Sequence, residues 1–395
     1  GPMKGVPYDG ADPKYQDLYC PPFENDNEVW HRTPYDPPEW WEQNWFNRMK
    51  DLVDNYQPDA FYFDGTLPFK HDDYAVGRQL LANYYNGDLK KNNGKLEAVM
   101  CLKNRHLSDL CVPDYERRGV ADTQDTTWQT DTCIGNWYYS TSASKRYKSV
   151  PEVIFMLVDI VSKNGNLLLS VPVHPSGEPQ KEELAFLKGL GDWMKVNGDG
   201  IYGTRPWLVY GEGDLDKTNY GVGGMHEAKV KLSEGDYRFT AKNDTDVFAF
   251  FMVWPESNTA VIKSLANHST DTAKIKRIKL LGSNKKLKYE WDREGLKVYL
   301  PKKKPCQHTW ALHIEGQGLR SFSVPALKQE PYAKKAFSIP GTIQAEDYDL
   351  GGQTIAYHDT TDGNLGSQYR QDDVDISSAG KNPVSYTHLR AHETL

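Results

Sequence analysis

Asp59-Ala60-Phe61-Tyr62-Phe63-Asp64-Gly65 is a short apolar run that ends on a carboxylate and a glycine. Pro58 stops the helix expected before it, and Ala60 to Phe63 read as a buried parallel strand. A carboxylate at the C-terminal end of such a strand is costly as packing and well placed for chemistry. In a β/α barrel that end faces the active site. A blander reading stands beside it, in which Asp64 only caps the next turn or helix.

Working outward, the chain alternates helix and strand from about residue 36 to 200. Asp36 can cap a helix opened by Pro37 and Pro38, in which Trp41, Trp45, Met49, Leu52 and Tyr56 recur at helical spacing. A helix over 73–91 and a strand over 96–102 follow, then a polar loop to about residue 126 and a short strand over 128–134. Pro151 opens a helix carrying the apolar run 153–161, with Gly165 as its C′ residue; a strand over 167–171 and a helix over 180–196 come next. That makes about four β/α units where a closed barrel needs eight, so residues 1–204 read as the C-terminal half of a (β/α)8-like barrel. The pattern then changes to alternating runs split by Gly, Asn, Asp and Lys, which predicts an antiparallel β-sandwich over 205–320. Residues 321–338 read as a linker, 339–382 as the start of a second β-sandwich, and 383–395, which follow no periodicity, as an artefactual tail. The fold class expected is α/β plus all-β. The chain opens on Gly1-Pro2-Met3, which reads as a cut from something longer or a tag scar.

Composition narrows the function. The 395 residues are 38% hydrophobic, with no apolar run near the roughly 18 residues that span a membrane. A net charge of -7 with no basic stripe argues against nucleic acid and anionic membranes as partners. The 24 Tyr and 11 Trp suit a sugar-binding protein, although core packing also consumes aromatics. Five cysteines without a CxxC pair indicate neither zinc nor a dithiol site; Cys101 and Cys111 could pair, but buried free thiols fit better.

Asp64 can act as one of the two carboxyl groups that a retaining glycosidase holds about 5–5.5 Å apart. The loop after the next strand offers the second: Asp109, Asp114, Glu116, Asp122 or Asp125. Composition does not choose among them.

The run from Tyr56 to Gly65 resembles the nucleophile region of glycoside hydrolase family 29, the α-L-fucosidases. Asn104-Arg105, Asp114-Tyr115-Glu116, the stretch 128–139, the stretch 157–172 and Ile201-Tyr202-Gly203-Thr204-Arg205-Pro206-Trp207 are similar to the family in the same order, so the resemblance covers roughly residues 5 to 320. It implies a retaining exo-glycosidase acting on terminal α-L-fucosides of a fucosylated oligosaccharide, with no cofactor in catalysis. By position Asp64 matches the nucleophile, Tyr62 and Trp137 match aromatics of the sugar pocket, and Arg105 matches a substrate-contacting arginine, whose planar fork suits two sugar oxygens. A core position for Trp137 is the alternative reading on sequence alone. Glu116 is the first choice for acid/base, with Asp114 and Asp122 in reserve, because the usual context of that glutamate is missing. The family's upstream histidines precede the nucleophile strand and have no counterpart here; His31 reads as a loop residue. The segments 339–349, 357–359, 363–366, 369–370 and 373–376 resemble the opening of a carbohydrate-binding module of family 6 or 35, which implies a structural calcium with Glu346 as an oxygen ligand. Such an enzyme is expected to be secreted or periplasmic. With part of the barrel outside the chain, the chain itself is expected to be inactive. The alternatives are a non-catalytic carbohydrate-binding protein on the same scaffold, or a glycosidase for another sugar of fucose-like stereochemistry.

Overall fold

The computed structural model describes residues 7, 9–19, 37–69, 71–103, 107, 109–141, 147–213, 231–267, 273–320, 331, 377–379 and 382–384. The chain forms two compact units, residues 1–114 and 115–395. Asp36, His31, Arg105 and Glu346 lie outside the described residues, as do the linker except residue 331 and nearly all of the 339–382 module.

In the first unit, α1 (Glu39–Tyr56) opens behind Pro38, with Glu39 and Glu42 in its first turn, where the helix dipole favours acids. Trp45, Phe46, Met49 and Val53 form its inward stripe. Its C-cap is Gln57 in the left-handed region (φ 43°), one residue before Pro58. β1 (Ala60–Phe63) follows as expected, and a 3-10 turn (His71–Tyr74) leads into α2 (Ala75–Lys91). Gly77 lets α2 come close to the chain: a Cβ there would stand 2.9 Å from Leu67. β2 (Val99–Leu102) and β3 (Val112–Pro113) complete a parallel sheet ordered β1-β2-β3. Leu80, Leu81, Tyr84, Met100 and Leu102 close its core with the α1 stripe. One expectation is corrected here: β1 is parallel but not buried. Ala60 and Tyr62 are exposed, and Phe61 and Phe63 half-buried, because β1 stands at the edge of this sheet.

The second unit begins with two parallel strands, β4 (Trp128–Cys133) and β5 (Gly165–Ser170), joined through α3 (Val150–Ser162). Ser149 caps α3 in a reciprocal box with Glu152, and Pro151 sits in the first turn. The helix end differs from expectation. Asn164, at φ 72°, takes the left-handed position, and Gly165 is already the first residue of β5. Its reason is room: a Cβ at Gly165 would lie 2.5 Å from the Trp128 ring and 2.8 Å from Ile160. α4 (Lys181–Asn197) follows.

Beyond α4 the strands are antiparallel. β6 (Arg205–Glu212), β7 (Tyr237–Lys242), β8 (Asp246–Phe251), β10 (Lys274–Leu280) and β13 (Trp310–Gln317) form a five-stranded sheet ordered β10-β13-β8-β7-β6. β9 (Thr259–Ile262), β11 (Lys288–Asp292) and β12 (Gly295–Tyr299) form a three-stranded one ordered β11-β12-β9. Side chains alternate along β8. Val247, Ala249 and Phe251 join Ile262, Leu296 and Val298 in the core shared with the smaller sheet. Phe248 and Phe250 join Ile154, Phe155 and Val158 of α3. β8 is thus covered on both faces, which explains why its sequence is a continuous apolar run. Further on, β14 (Ser377–Ala379) pairs with β15 (Asn382–Val384), across the boundary where the tail was expected to begin.

Candidate active site

Parallel pairing in register carries three side chains to one end of the first sheet. Phe63 pairs with Leu102, and Leu102 with Pro113. The next residue on each strand is therefore Asp64, Lys103 and Asp114. Lys103 Nζ donates to Asp64 Oδ1 at 2.7 Å. The lysine side chain is 16% exposed and the aspartate 79%, so the carboxylate faces solvent while its partner rises from packed structure. Gly65, at φ 133°, turns the chain directly after Asp64, and its carbonyl accepts from Lys103 N. Asp114 is 4% exposed, and its backbone N–H donates to Leu102 O at 2.9 Å. Tyr62 is 37% exposed on the same strand as Asp64. Behind this end, burial pushes the Cys101 thiol up to about 11, with the charge of Asp114 adding to it, and pushes Cys111 up to about 12. Both thiols are buried and free, as read from the sequence.

In the second unit Glu116 is held by its neighbours. Tyr115 N donates to Gln129 O and Arg117 N to Asp131 O, so residues 115–117 run alongside β4. Thr130 Oγ1 donates back to Tyr115 O at 2.5 Å. Glu116 is half-buried there. Trp137 stands four residues past the C-terminal end of β4 and is 38% exposed, so it is not a core residue. Asp122 accepts from Thr123 N at 2.6 Å and stays half-buried.

The stretch 157–172 conceals a charge cluster that sequence reading missed. Asp159 accepts from Arg238 Nε at 2.5 Å and from Lys163 Nζ at 3.1 Å. Lys163 also donates to Val120 O at 2.9 Å, and its own carbonyl accepts from Trp128 Nε1 at 2.9 Å. Lys163 Nζ lies 4.6 Å and Arg238 Cζ 5.6 Å from the centre of the Tyr210 ring. All three charged side chains are buried. Burial pulls the Lys163 pKa down, and Arg238 pulls it the same way against Asp159. Trp128, Lys163 and Gly165 together lock the α3–β5 turn against β4, which carries residues 115–117. Lys103 was also missed, although its position one past the end of β2, matching Asp64 one past β1, was a readable signal.

Among the described residues no group of three or more His, Cys, Asp or Glu could hold a metal, and no helix is long and apolar enough to cross a membrane.

The family profile described as Alpha-L-fucosidase matches residues 3–199, and that of the Alpha-L-fucosidase C-terminal domain matches residues 232–315. The chain is 26% identical over 283 residues to an alpha-L-fucosidase of Branchiostoma floridae and 27% over 284 residues to the tissue alpha-L-fucosidase of Mus musculus. These matches cover 68% and 67% of the chain but 56% and 55% of the relatives, so the chain spans about half the length of the curated relatives it matches. A crystal structure of Thermotoga maritima alpha-fucosidase with a mechanism-based inhibitor shares the fold at TM-score 0.55 and 23% identity, over 74% of this chain and 60% of that one. A trapped covalent intermediate of a Bacteroides thetaiotaomicron alpha-L-fucosidase, in complex with 2-fluoro-fucosyl fluoride, does so at TM-score 0.51 and 19% identity, over 70% and 61%. Both parts of the chain, the α/β part that carries Asp64 and the antiparallel sheets after it, match one family, and the chain belongs to the α-L-fucosidases of glycoside hydrolase family 29.

Proposed function

We propose that the protein carrying this chain hydrolyses terminal α-L-fucosides with retention of configuration. The supporting observation is Asp64: a solvent-facing carboxylate at the C-terminal end of a parallel strand, held by a lysine from the adjacent strand end. In this reading Asp64 attacks the anomeric carbon while the bond to the leaving oxygen breaks, and Glu116 gives its proton to that oxygen. Glu116, now a carboxylate, takes a proton from water as the water oxygen attacks the same carbon and releases Asp64. Tyr62 and Trp137 offer aromatic faces to the apolar side of the sugar, and Arg105 its fork to the hydroxyls. The trapped covalent intermediate of the Bacteroides relative agrees with a two-step route.

The same reading takes residues 1–204 as later β/α units of a (β/α)8-like barrel and 205–320 as a β-sandwich beside it. Residues 339–382 are read as a carbohydrate-binding module with a structural calcium at Glu346, and the protein as secreted or periplasmic. Hydrolysis of 4-nitrophenyl α-L-fucoside followed by proton NMR tests the reaction. The first fucose to appear is expected as the α anomer. The β anomer first would sink retention, and fucose binding without turnover would favour a non-catalytic binder on this scaffold.

A further inference from the structure

Glu116, the proposed acid/base, lies in residues 115–124, a stretch with no helix or strand of its own. Its backbone is nevertheless tied down at both ends, within the second unit. At the start, Tyr115 N donates to Gln129 O at 2.8 Å and Arg117 N to Asp131 O at 2.9 Å, on either side of Thr130 in β4. Thr130 Oγ1 donates to Tyr115 O at 2.5 Å, and the same carbonyl accepts from Arg118 N at 3.2 Å. Glu116 therefore sits in a closed turn, between two anchored peptides. Arg117, the residue after it, stands in the left-handed region at φ 51°. A side chain other than glycine is strained there, and such strain persists where the surroundings over-determine it.

The far end is held from the α3–β5 turn by Lys163 and Asn164. Lys163 Nζ donates to Val120 O at 2.9 Å, and Lys163 O accepts from Gln124 N at 3.2 Å. Asn164 Nδ2 donates to Gln124 O at 3.0 Å. Asn164 reaches that carbonyl from a left-handed backbone, φ 72°, which asparagine tolerates better than most residues. Val120 and Lys163 are buried, so their bond is made away from water, where an unmatched carbonyl is costly.

A loop's buried carbonyls need donors in any protein, and that alone would account for isolated bonds. Here the double acceptance at Tyr115 O and the strained Arg117 fall on the two residues that flank Glu116, and together they fix where its side chain begins. We propose that Thr130 and Asn164 are positioning residues, which clamp the stretch 115–124 from its two ends and hold the Glu116 carboxyl at the leaving oxygen. They act through Glu116, and their catalytic purpose rests on the function proposed above. Proton transfer needs its two heavy atoms within about 2.6–3.2 Å. A turn that drifts by about an ångström thus fails at this step before it fails at folding.

The experiment uses the protein carrying this chain and a series of aryl α-L-fucosides, from 2,4-dinitrophenyl through 4-nitrophenyl to phenyl, whose leaving groups need increasing protonation. Thr130→Val keeps the shape and removes the donor; Asn164→Gly removes the amide and keeps the left-handed backbone open. Each should lower kcat on the phenyl fucoside by about tenfold and on the dinitrophenyl fucoside by less than about twofold, with KM little changed. Thr130→Ser, which restores the hydroxyl, should return the wild-type dependence on the leaving group. Thr240→Val is the control, because Thr240 Oγ1 makes a similar buried bond to Gly200 O at 2.7 Å outside the clamp. It should lower the melting temperature as much as Thr130→Val does and leave the leaving-group dependence alone. Hydrogen exchange across 115–124 should quicken in Thr130→Val and Asn164→Gly and not in Thr240→Val. Equal losses along the series, unchanged exchange in both clamp variants, or no recovery in Thr130→Ser overturns the proposal. Glu116→Ala separates it from the reading it rests on. If Glu116→Ala slows the phenyl fucoside selectively and Thr130→Val does not, the clamp falls and the acid/base stands. If Thr130→Val is selective and Glu116→Ala is not, the clamp stands and the acid it holds is Asp122, in the same stretch. Quickened exchange in a protein that turns over no fucoside removes the fucosidase reading and, with it, the catalytic purpose of the clamp.

Discussion

Lys103 Nζ donates to Asp64 Oδ1 at 2.7 Å across the ends of two adjacent parallel strands, and the lysine is the packed partner of the two. The arrangement fixes one carboxylate oxygen and leaves the other open to an incoming carbon. Because Asp64 is largely exposed, the pair itself adds little to stability, about 0–1 kcal/mol. Its consequence is orientation. In the protein carrying this chain, Asp64→Ala should therefore leave folding nearly intact and lower turnover of aryl α-L-fucosides by about a thousandfold or more. External azide should then restore turnover as a glycosyl azide of inverted configuration. Near-normal turnover without azide would show that another group attacks.

Lys103→Met tests orientation separately. It keeps the proposed nucleophile and removes the lysine that holds it, so kcat/KM should fall by about tenfold while the melting temperature barely moves. If Lys103 only balances charge, Lys103→Arg should restore full activity despite its different fork. If it aims the carboxylate, Arg should rescue only in part.

Glu116 is expected to reveal itself through the leaving group. An aryl fucoside with a good leaving group needs little protonation, whereas a fucosyl disaccharide needs much. Glu116→Ala should thus slow the disaccharide by about a hundredfold or more and the activated aryl substrate far less. Equal losses on both substrates would shift the acid/base role to Asp114, which follows β3 at the same end of the sheet as Asp64, or to Asp122.

Local signals made much of this legible. Ala60–Phe63, Trp128–Cys133 and the β8 run announce themselves by apolar content and neighbouring turns, and the Ser149–Glu152 box starts α3 where Pro151 implied. Asp64 could be found because a strand end is a local feature. What stayed hidden depends on distant partners. Arg238 meets Asp159 across 79 positions, and no spacing rule anticipates that. Gly165 read as a helix cap because glycine commonly is one, yet its role is to clear the Trp128 ring, 37 residues upstream. The exposure of β1 follows from its place at a sheet edge, which strand composition does not reveal.

The buried triad carries a stability prediction. Among the described residues, Asp159 is the carboxylate that pairs directly with both buried cations. Asp159→Ala would strand both Lys163 and Arg238 in packed surroundings, at a cost of about 3–5 kcal/mol. Replacing all three together, as Asp159→Leu with Lys163→Met and Arg238→Met, should cost far less or stabilise, because no desolvated charge remains. Chemical denaturation of the two variants decides it. A mild single substitution would mean that water reaches the cluster.

The last prediction concerns alkaline pH, and it starts from the first unit. Burial pushes Tyr84 up to about 12 and raises Tyr85 further, beside Cys101 at about 11 and Cys111 at about 12. All four are acids whose folded form keeps the proton longer than the unfolded chain does. Between the ordinary thiol and phenol values, near 9 and 10, and those raised values, the unfolded state therefore binds fewer protons. Stability must fall as pH rises through that window. In the second unit Lys163 works in the opposite sense, its lowered folded pKa making stability rise with pH until its ordinary value near 10.5 is passed, whereas Tyr147, Tyr237, Tyr299 and Cys306 are raised and add to the fall. Calorimetry from about pH 8 to about pH 11 should show the melting temperature of the chain moving down. Tyr84→Phe should flatten that decline although it gives up the hydroxyl's bond to Pro58 O at 2.9 Å. Below about pH 9 the buried Cys101 and Cys111 thiols should resist alkylation in the folded chain and react once it is denatured. A melting temperature indifferent to pH up to about 11 would mean that these side chains are hydrated in the folded state, and the core drawn around Met100 and Leu102 would have to be looser than its burial implies.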